Sequence, residues 1–275
     1  MRQLVCLIAL AFSPCVIAGS PASPVGYTSP RIAIIIDDLG DRLNDGKRVV
    51  QLPGAVTVSI IPYTPFGKRL ALLAHNYQKE IMLHLPMESM DERFLGRGGL
   101  SENMNETQFV QTLYETLNAV PDIRGVNNHM GSRLTQDATK MAWVMAGLLR
   151  HGELYFVDSR TTAQSQADTV AREYGLEHAR RDVFLDDDKD PAQIKKQWNY
   201  LLQLARRKGS AVAIGHPYPE TIHFLQQTLP TVAKLGIDLV PVSELIQWQQ
   251  TWRRLAWQTP PSSSPLPKVV KNSKP

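Results

Sequence analysis

Residues 31–40 read Arg-Ile-Ala-Ile-Ile-Ile-Asp-Asp-Leu-Gly, an apolar run that ends in two adjacent carboxylates. Such a run is typical of a strand that is buried on both faces of a parallel sheet. Asp37 and Asp38 stand at the carboxyl end of this predicted strand, and the two-residue period of a strand predicts that their side chains diverge. The structural alternative is an acidic helix N-terminus, because Asp41 follows closely.

The same pattern recurs along the chain, where short apolar runs alternate with longer amphipathic segments. The predicted strands are Arg31–Ile36, Ala55–Ile61, Glu80–Leu85, Gly125–Val126, Leu154–Val157, Asp182–Leu185, Ser210–Ile214 and Ile237–Val242. Three predicted helices have recognisable ends: one is capped by Asn105 and ends before Pro121, one is bracketed by Thr135 and Gly152, and one runs from Asp190-Pro191 to Gly209. Seven or eight such alternations favour one α/β domain over residues 31–258, a single distorted (β/α) barrel of parallel strands, over a doubly wound open sheet.

Polar side chains follow the predicted strands, at the end where barrel active sites are built. They are Asp37, Asp38, His84, Asn128, His129, Asp158, Asp186, Asp187 and His216. A lone histidine after a strand is more often a hydrogen-bonded structural group, but three of them beside paired carboxylates favour a metal site. One Asp and two His would supply three ligands to Zn²⁺ and leave a fourth position for water. The other four histidines, His75, His151, His178 and His223, are expected to be structural, with His178 in a turn.

The N-terminus has the pattern of a cleavable signal peptide over residues 1–18, with Arg2 before a short apolar run. Both cysteines, Cys6 and Cys15, fall inside it, so thiol chemistry is excluded from the mature chain. We expect a periplasmic or secreted protein without a transmembrane anchor after cleavage; an uncleaved N-terminal anchor is the alternative. Residues 19–30 are a predicted Pro/Ser linker, and residues 259–275 a disordered Pro/Ser/Lys tail.

The formal net charge of +4 comes from outside the predicted domain. Arg2, Lys268, Lys271 and Lys274 lie in the two terminal segments, and residues 31–258 are neutral. A nucleic-acid partner would need a surplus of basic residues, and none is expected. The chain also lacks the Gly-Lys-Ser/Thr phosphate loop and the Gly-x-Ser-x-Gly elbow, which disfavours nucleotide hydrolases and serine hydrolases.

Five ordered motifs carry a family resemblance: Ile-Ile-Asp-Asp-Leu-Gly at 35–40, His-Leu-Pro-Met-Glu at 84–88, Gly-Val-Asn-Asn-His-Met-Gly-Ser at 125–132, Phe-Val-Asp-Ser-Arg-Thr at 156–161 and Ile-Gly-His-Pro at 214–217. Over about residues 31–250 the chain resembles the divergent polysaccharide deacetylase family. That family is related to metal-dependent hydrolases with a distorted (β/α) barrel, which remove acetyl groups from cell-wall and related polysaccharides. The resemblance therefore implies a polysaccharide or glycan substrate and one divalent metal, with zinc preferred.

The resemblance also implies roles for individual residues. Asp37 would be the general base and His216 the general acid, while Asp38 and His84 would hold the metal. His129 is the preferred third ligand, because it belongs to the divergent family's own motif.

Three further residues are expected to contact substrate: Glu88, Asn128 and Arg160. Glu88 stands where better-studied deacetylases have a third histidine ligand, so it is also an alternative ligand. The arginine motif of those enzymes is missing here. Arg160 is expected to orient Asp37 in its place, with Arg133 and Arg181 as rivals; the alternative for each of the three is a structural ion pair. Asn127 or Asn128 would bind sugar or oxyanion or serve the backbone, and the acidic run 186–188 would bind sugar hydroxyls or form a solvated turn.

The predicted function is removal of acetyl groups from an envelope polysaccharide or its fragments. The alternative is a catalytically inactive barrel that binds peptidoglycan or an envelope protein, which the altered ligand position and the missing arginine motif favour. Asp37, Asp38 and His216 together argue against that alternative, because a binding module does not need a base, a ligand and an acid. A metal hydrolase acting on phosphoesters or amides is a third possibility.

Overall fold

The computed structural model describes residues 29–91 and 93–258. The strands are β1 Arg31–Leu39, β2 Val56–Ile60, β3 Ile81–Met87, β4 Ile123–Met130, β5 Tyr155–Asp158, β6 His178–Arg180, β7 Val183–Phe184, β8 Ser210–Gly215 and β9 Asp238–Leu239. The α-helices are α1 Leu43–Val50, α2 Gly67–Asn76, α3 Glu106–Leu117, α4 Ala138–His151, α5 Ala167–Glu173, α6 Pro191–Lys208, α7 Pro219–Thr228 and α8 Val242–Gln258. The predicted signal peptide, the linker up to residue 28 and the tail lie outside the described residues. Within these ranges, no helix has the length and apolar character needed to cross a membrane.

The strands form one parallel sheet in the order β6-β5-β4-β3-β2-β1-β8-β7, and the short β9 pairs with β1. The two end strands of this order are separated in the chain only by Arg181 and Asp182. One segment, 178–184, therefore pairs with β5 through its first half and with β8 through its second. This segment curls the sheet into a distorted (β/α) barrel, which confirms the predicted fold.

Two local predictions, the position of His178 and the start of α4, are wrong. His178 begins strand β6 instead of lying in a turn. Helix α4 is capped by Asp137, whose carboxylate accepts the backbone N–H groups of Thr139 and Lys140, whereas the Thr135 hydroxyl donates to the Gly131 carbonyl. The other two predictions are confirmed: α3 starts with a capping box at Asn105 and ends at Leu117, before Pro121, and α6 has a capping aspartate at its start and a left-handed glycine after its end.

Alternate residues of each strand face opposite layers. Ile32, Ile34 and Ile36 of β1 pack in the outer core with the helices. The intervening residues fill the barrel interior in a second cluster, which contains Ala33, Ile35, Met82, Tyr155, Val157, Ala179, Val212, Ile214, Val240, Val242, Leu245 and Ile246. Two residues further along each strand, the next inward position is a polar residue: Asp37 after Ile35, His84 after Met82 and His216 after Ile214.

The amino-terminal end of the barrel is closed by α8, three residues of which belong to the interior cluster. Glu80 fixes this helix. One of its carboxylate oxygens accepts hydrogen bonds from the backbone N–H of Val242 at 2.9 Å, the Thr57 hydroxyl at 2.9 Å and the Tyr155 hydroxyl at 2.8 Å. Since α8 covers this end, the interior residues at the opposite end of the strands form the rim that carries the polar side chains.

We expect Glu80→Ala to lower the free energy of unfolding by about 3 kcal/mol, because it leaves several buried donors without an acceptor. Urea denaturation of the full chain measures this change. Glu173→Ala, at an exposed position in the last turn of α5, is the matched control and should change the free energy by less than about 0.5 kcal/mol. Equal stability of the two variants would contradict the role given to Glu80.

Candidate metal centre

The end of β1 contains a break in pairing that brings both carboxylates to one side. The register with β2 shifts between Ile36 and Leu39, and Asp38 has a left-handed backbone with φ of 57°. The expectation that Asp37 and Asp38 diverge is therefore wrong, because a bulge interrupts the two-residue alternation at this point. An oxygen of each carboxylate faces Nε2 of His84, at 3.6 Å from Asp37 and 3.1 Å from Asp38.

Three predicted ligands lie together at the rim. Asp38 Oδ1 is 2.9 Å from Nδ1 of His129 and 3.1 Å from Nε2 of His84, and the ligand atoms of the three residues all lie within 4.8 Å of one another. Strands β3 and β4 are adjacent, so the two histidine rings meet edge to face with centroids 4.8 Å apart.

The geometry of these atoms fits a divalent cation. Asp38 Oδ1 is buried without a hydrogen bond, since neither imidazole nitrogen meets it in hydrogen-bond geometry despite the short distances. The three ligand atoms lie within 4.8 Å of one another, close enough to share one cation. One carboxylate oxygen and two imidazole nitrogens are a donor set that suits zinc and leaves room for further ligands. The assignment of Asp38, His84 and His129 as ligands stays a prediction.

Asn127, which is fully buried, connects the base candidate to this cluster. Its side-chain oxygen lies 2.8 Å from Nδ1 of His84 and accepts the Ser59 hydroxyl at 2.7 Å, while its amide nitrogen donates to Asp37 Oδ1 at 2.9 Å. Because this oxygen can only accept, it requires a proton on Nδ1 of His84 and leaves Nε2 directed at Asp38. Burial also removes Asn127 from contact with a sugar, which the sequence had left open.

The charged groups of the cluster shift the pKa values of Asp38 and His84. Burial alone would raise the pKa of Asp38, but the close approach of His129 and His84 outweighs it and holds the pKa of that carboxyl well below its usual range. Burial alone would lower the pKa of His84, yet the charge of Asp37 and the contact with Asp38 raise it to about 9. The Asp38 carboxylate is therefore stabilised as an anion, the form that binds cations.

His216 stands on the other side of Asp38, with its Nε2 3.9 Å from Asp38 Oδ2. Its Nδ1 is 2.9 Å from Asp186 Oδ1, and the second oxygen of Asp186 accepts the backbone N–H of His216 and the Thr221 hydroxyl. Burial alone would lower the pKa of His216, but the hydrogen bond and charge of Asp186 raise it. Asp186 thus orients the imidazole and stabilises its protonated form.

Sequence reasoning missed the two groups that hold the candidate base and acid. Asp186 was expected to bind sugar or lie in a solvated turn, but it is buried against His216. Its position one residue after Leu185, at the end of a strand-like run, was the available signal. Asn127 had no such signal, because its position as the cross-strand neighbour of His84 is revealed only by the register of β3 and β4.

The structure places two predicted substrate residues in the framework around the site. Glu88 accepts the Ser101 hydroxyl and the Glu102 backbone N–H, so its carboxylate ties down the loop that follows β3. Asn128 donates to the Met130 carbonyl at 2.7 Å and accepts the Ser159 backbone N–H at 2.9 Å. Hydrogen bonds within the protein thus occupy both side chains.

Three arginines were candidates for orienting Asp37. Arg133 lies 3.5 Å from Glu88 and 3.3 Å from Glu102, away from the base candidate. Arg160 lines a pocket beside the site, and its backbone N–H donates to Asp158. Burial lowers the pKa of the Arg181 guanidinium, and the charges of Asp158 and Asp37 oppose that.

We expect the wild-type chain to take up about one zinc ion, and Asp38→Ala and His129→Ala each to lose most of it, because each removes one of the three converging atoms. Elemental analysis after dialysis against zinc measures the stoichiometry. Glu88→Gln is the control and should retain the metal. Metal lost in Glu88→Gln and kept in His129→Ala would move the third ligand to Glu88, and no uptake by the wild type would contradict the site.

We expect Asn127→Ala to weaken zinc affinity by roughly 10- to 100-fold, because it frees His84 to adopt the wrong tautomer and orientation. Competition with a chromophoric chelator measures the affinity. Asn199→Ala, at an exposed position on α6, is the control and should leave it unchanged. Wild-type affinity in Asn127→Ala would show that these hydrogen bonds do not position the ligand.

Comparison with known proteins agrees with this fold. The profile of the divergent polysaccharide deacetylase family matches residues 34–246. Uncharacterized protein YibQ of Escherichia coli K12 is 35% identical over 263 residues, covering 96% of this chain and 79% of that protein. An uncharacterized Haemophilus influenzae protein is 35% identical over 219 residues, 80% of this chain and 78% of its own length. The crystal structure of an uncharacterized protein from Agrobacterium tumefaciens C58 superposes with a TM-score of 0.76 at 24% identity, covering 80% of this chain and 91% of that one. The chain therefore belongs to the divergent polysaccharide deacetylase family.

Proposed function

We propose that this protein is a metal-dependent hydrolase that removes acetyl groups from an envelope polysaccharide or its fragments. The observation that carries the proposal is the convergence of Asp38, His84 and His129 at one rim of the barrel, between Asp37 and His216. Family membership implies a carbohydrate substrate. The N-terminal signal pattern, outside the described residues, supports a periplasmic or secreted location.

In this proposal Asp38, His84 and His129 hold one divalent cation, for which zinc fits the donor set. The bound cation supplies Lewis acidity that polarises the acetyl carbonyl and acidifies water. The protein contributes a tautomer of His84 that keeps Nε2 available, since the Asn127 oxygen engages Nδ1.

Asp37 is the proposed general base. Its Oδ1 is held by Asn127, whereas Oδ2 faces the cluster at 3.6 Å from His84 Nε2. One oxygen thus fixes the orientation of the carboxylate, and the other accepts the proton from the attacking water.

His216 is the proposed general acid. Because Nδ1 is bonded to Asp186, Nε2 is the nitrogen that faces the site, and its proton passes to the leaving amine or alkoxide. Asp186 supports both states of this transfer, since it orients the ring and stabilises the imidazolium form.

We expect Asp37→Asn and His216→Gln to reduce acetate release by at least about 100-fold, because each removes a proton-transfer group. An enzymatic acetate assay on acetylated glycans, with metal content measured in parallel, tests this. Both variants should retain the metal, which separates loss of chemistry from loss of the site.

The matched controls are Asp41→Asn and His223→Gln, which change exposed residues of the same types and should keep full activity. Acetate release that survives in Asp37→Asn would contradict the assignment of the base. If the metal-loaded wild type releases no acetate from any N- or O-acetylated glycan, the proposal is wrong and the inactive binding barrel takes its place.

A further inference from the structure

A second feature lies beside the candidate centre, on the segment that closes the barrel. A pocket of about 390 Å³ is lined by Arg160, Thr162, Ala163, Arg180, Arg181 and Asp182. Its volume falls in the range of about 300–1,000 Å³ that is typical of small-ligand sites. Half of its lining residues are arginines, which distinguishes it chemically from the carboxylate-rich rim.

The Arg181 side chain is held in place by the backbone around it. Arg181 donates from Nε to the Ser159 carbonyl at 2.6 Å and from Nη2 to the Arg160 carbonyl at 2.8 Å. Arg160 has a left-handed backbone with φ of 54°, an uncommon conformation for a non-glycine residue. Arg180 ends β6, opposite Asp158 in the register, at an exposed position.

The charge of the pocket is not balanced from within. Among residues 29–91 and 93–258, none of the three arginines has a carboxylate oxygen within salt-bridge distance. The one lining carboxylate, Asp182, is already engaged by Lys208 Nζ and by the Val212 backbone N–H, each at 3.0 Å. Asp158, Asp37 and Asp187 act on Arg181 from outside the lining. The lining itself therefore carries a positive excess.

The pocket adjoins the proposed general acid. The guanidinium of Arg181 lies 4.8 Å from the centre of the Phe184 ring, and that ring is 5.2 Å from the ring of His216. Both groups therefore lie near the same aromatic ring. A sugar whose acetyl group reaches the metal centre can therefore place one of its own substituents, or one of the adjoining sugar, at the arginines.

We propose that this arginine pocket binds an acidic substituent, a carboxylate or a phosphate, on the glycan that is deacetylated at the neighbouring centre. The inference rests on the proposed function and narrows its substrate class to acidic glycans. Guanidinium groups suit both anions, because their planar N–H donors match two oxygens at once. Arg160 thereby contacts substrate through an anion, as a specificity residue and not as a partner of Asp37.

The test compares an N-acetylated oligosaccharide that bears a carboxylate with the same oligosaccharide after its carboxylate is reduced to an alcohol. Isothermal titration calorimetry with the full, zinc-loaded chain gives both dissociation constants. We expect the acidic form to bind at least about tenfold more tightly. Arg180→Gln and Arg160→Gln should each remove most of this preference and leave the affinity for the reduced form unchanged.

Arg69→Gln, which changes an exposed arginine on α2, is the control and should keep the preference. Equal affinity of the wild type for both oligosaccharides, or a preference that survives in Arg180→Gln, would overturn the proposal for carboxylates. A matched pair with and without a phosphomonoester tests phosphate in the same way, and preference for neither anion overturns the proposal entirely.

Acetate release from the same ligands separates this proposal from the proposed function. Arginine-dependent preference without acetate release leaves the anion site standing and removes the hydrolase. Equal acetate release from the acidic and reduced forms, together with equal affinities, would support the hydrolase and overturn the anion site.

Discussion

The candidate site depends on one constraint, the parallel pairing of all strands around a closed interior. Each strand alternates between the outer core and the barrel interior, and α8 fills the amino-terminal end. An inward residue placed just beyond the apolar layer must then lie at the opposite rim. Asp37, His84, Asn127 and His216 are far apart in sequence and are brought together by this rule alone.

The alternation of the strands does not account for Asp38, which the bulge in β1 brings to the same side as Asp37. Regular alternation would send one of two adjacent aspartates outward, toward the helices. The left-handed backbone of Asp38 costs about 1–3 kcal/mol in general, although aspartate tolerates it better than most residues. In return, a single dipeptide contributes two carboxylates to one site, and the distances to His84 show that both face the same histidine. Strain in β1 is thus tied to the chemistry proposed for it.

The sequence predicted the barrel and the polar rim because buried parallel strands are continuous apolar runs. It predicted only residues 125–126 of β4, which spans Ile123–Met130. Gly125 and the two asparagines break its apolar run, yet Gly125 gives the Tyr155 ring the space that a Cβ would fill, and Asn127 holds His84 and Asp37. Gly125 and Asn127 thus weaken the sequence pattern of β4, but the packing and the candidate site require them. The bulge and the role of Asp186 depend on contacts between distant segments, which local pattern does not encode.

Asn127 holds Asp37 without adding a charge to the candidate centre. With the proposed divalent cation bound, the charges of Asp37 and Asp38 are balanced, and a protonated His216 is balanced by Asp186. An acidic glycan therefore meets little net charge where the acetyl group reacts. Its attraction has to come from elsewhere, and the three arginines of the adjoining pocket are placed to supply it. Had an arginine oriented Asp37 directly, the positive charge would lie at the reacting group, where it would also weaken the base. In this proposal the amide of Asn127 orients the base, and the arginines of the pocket recognise the anion.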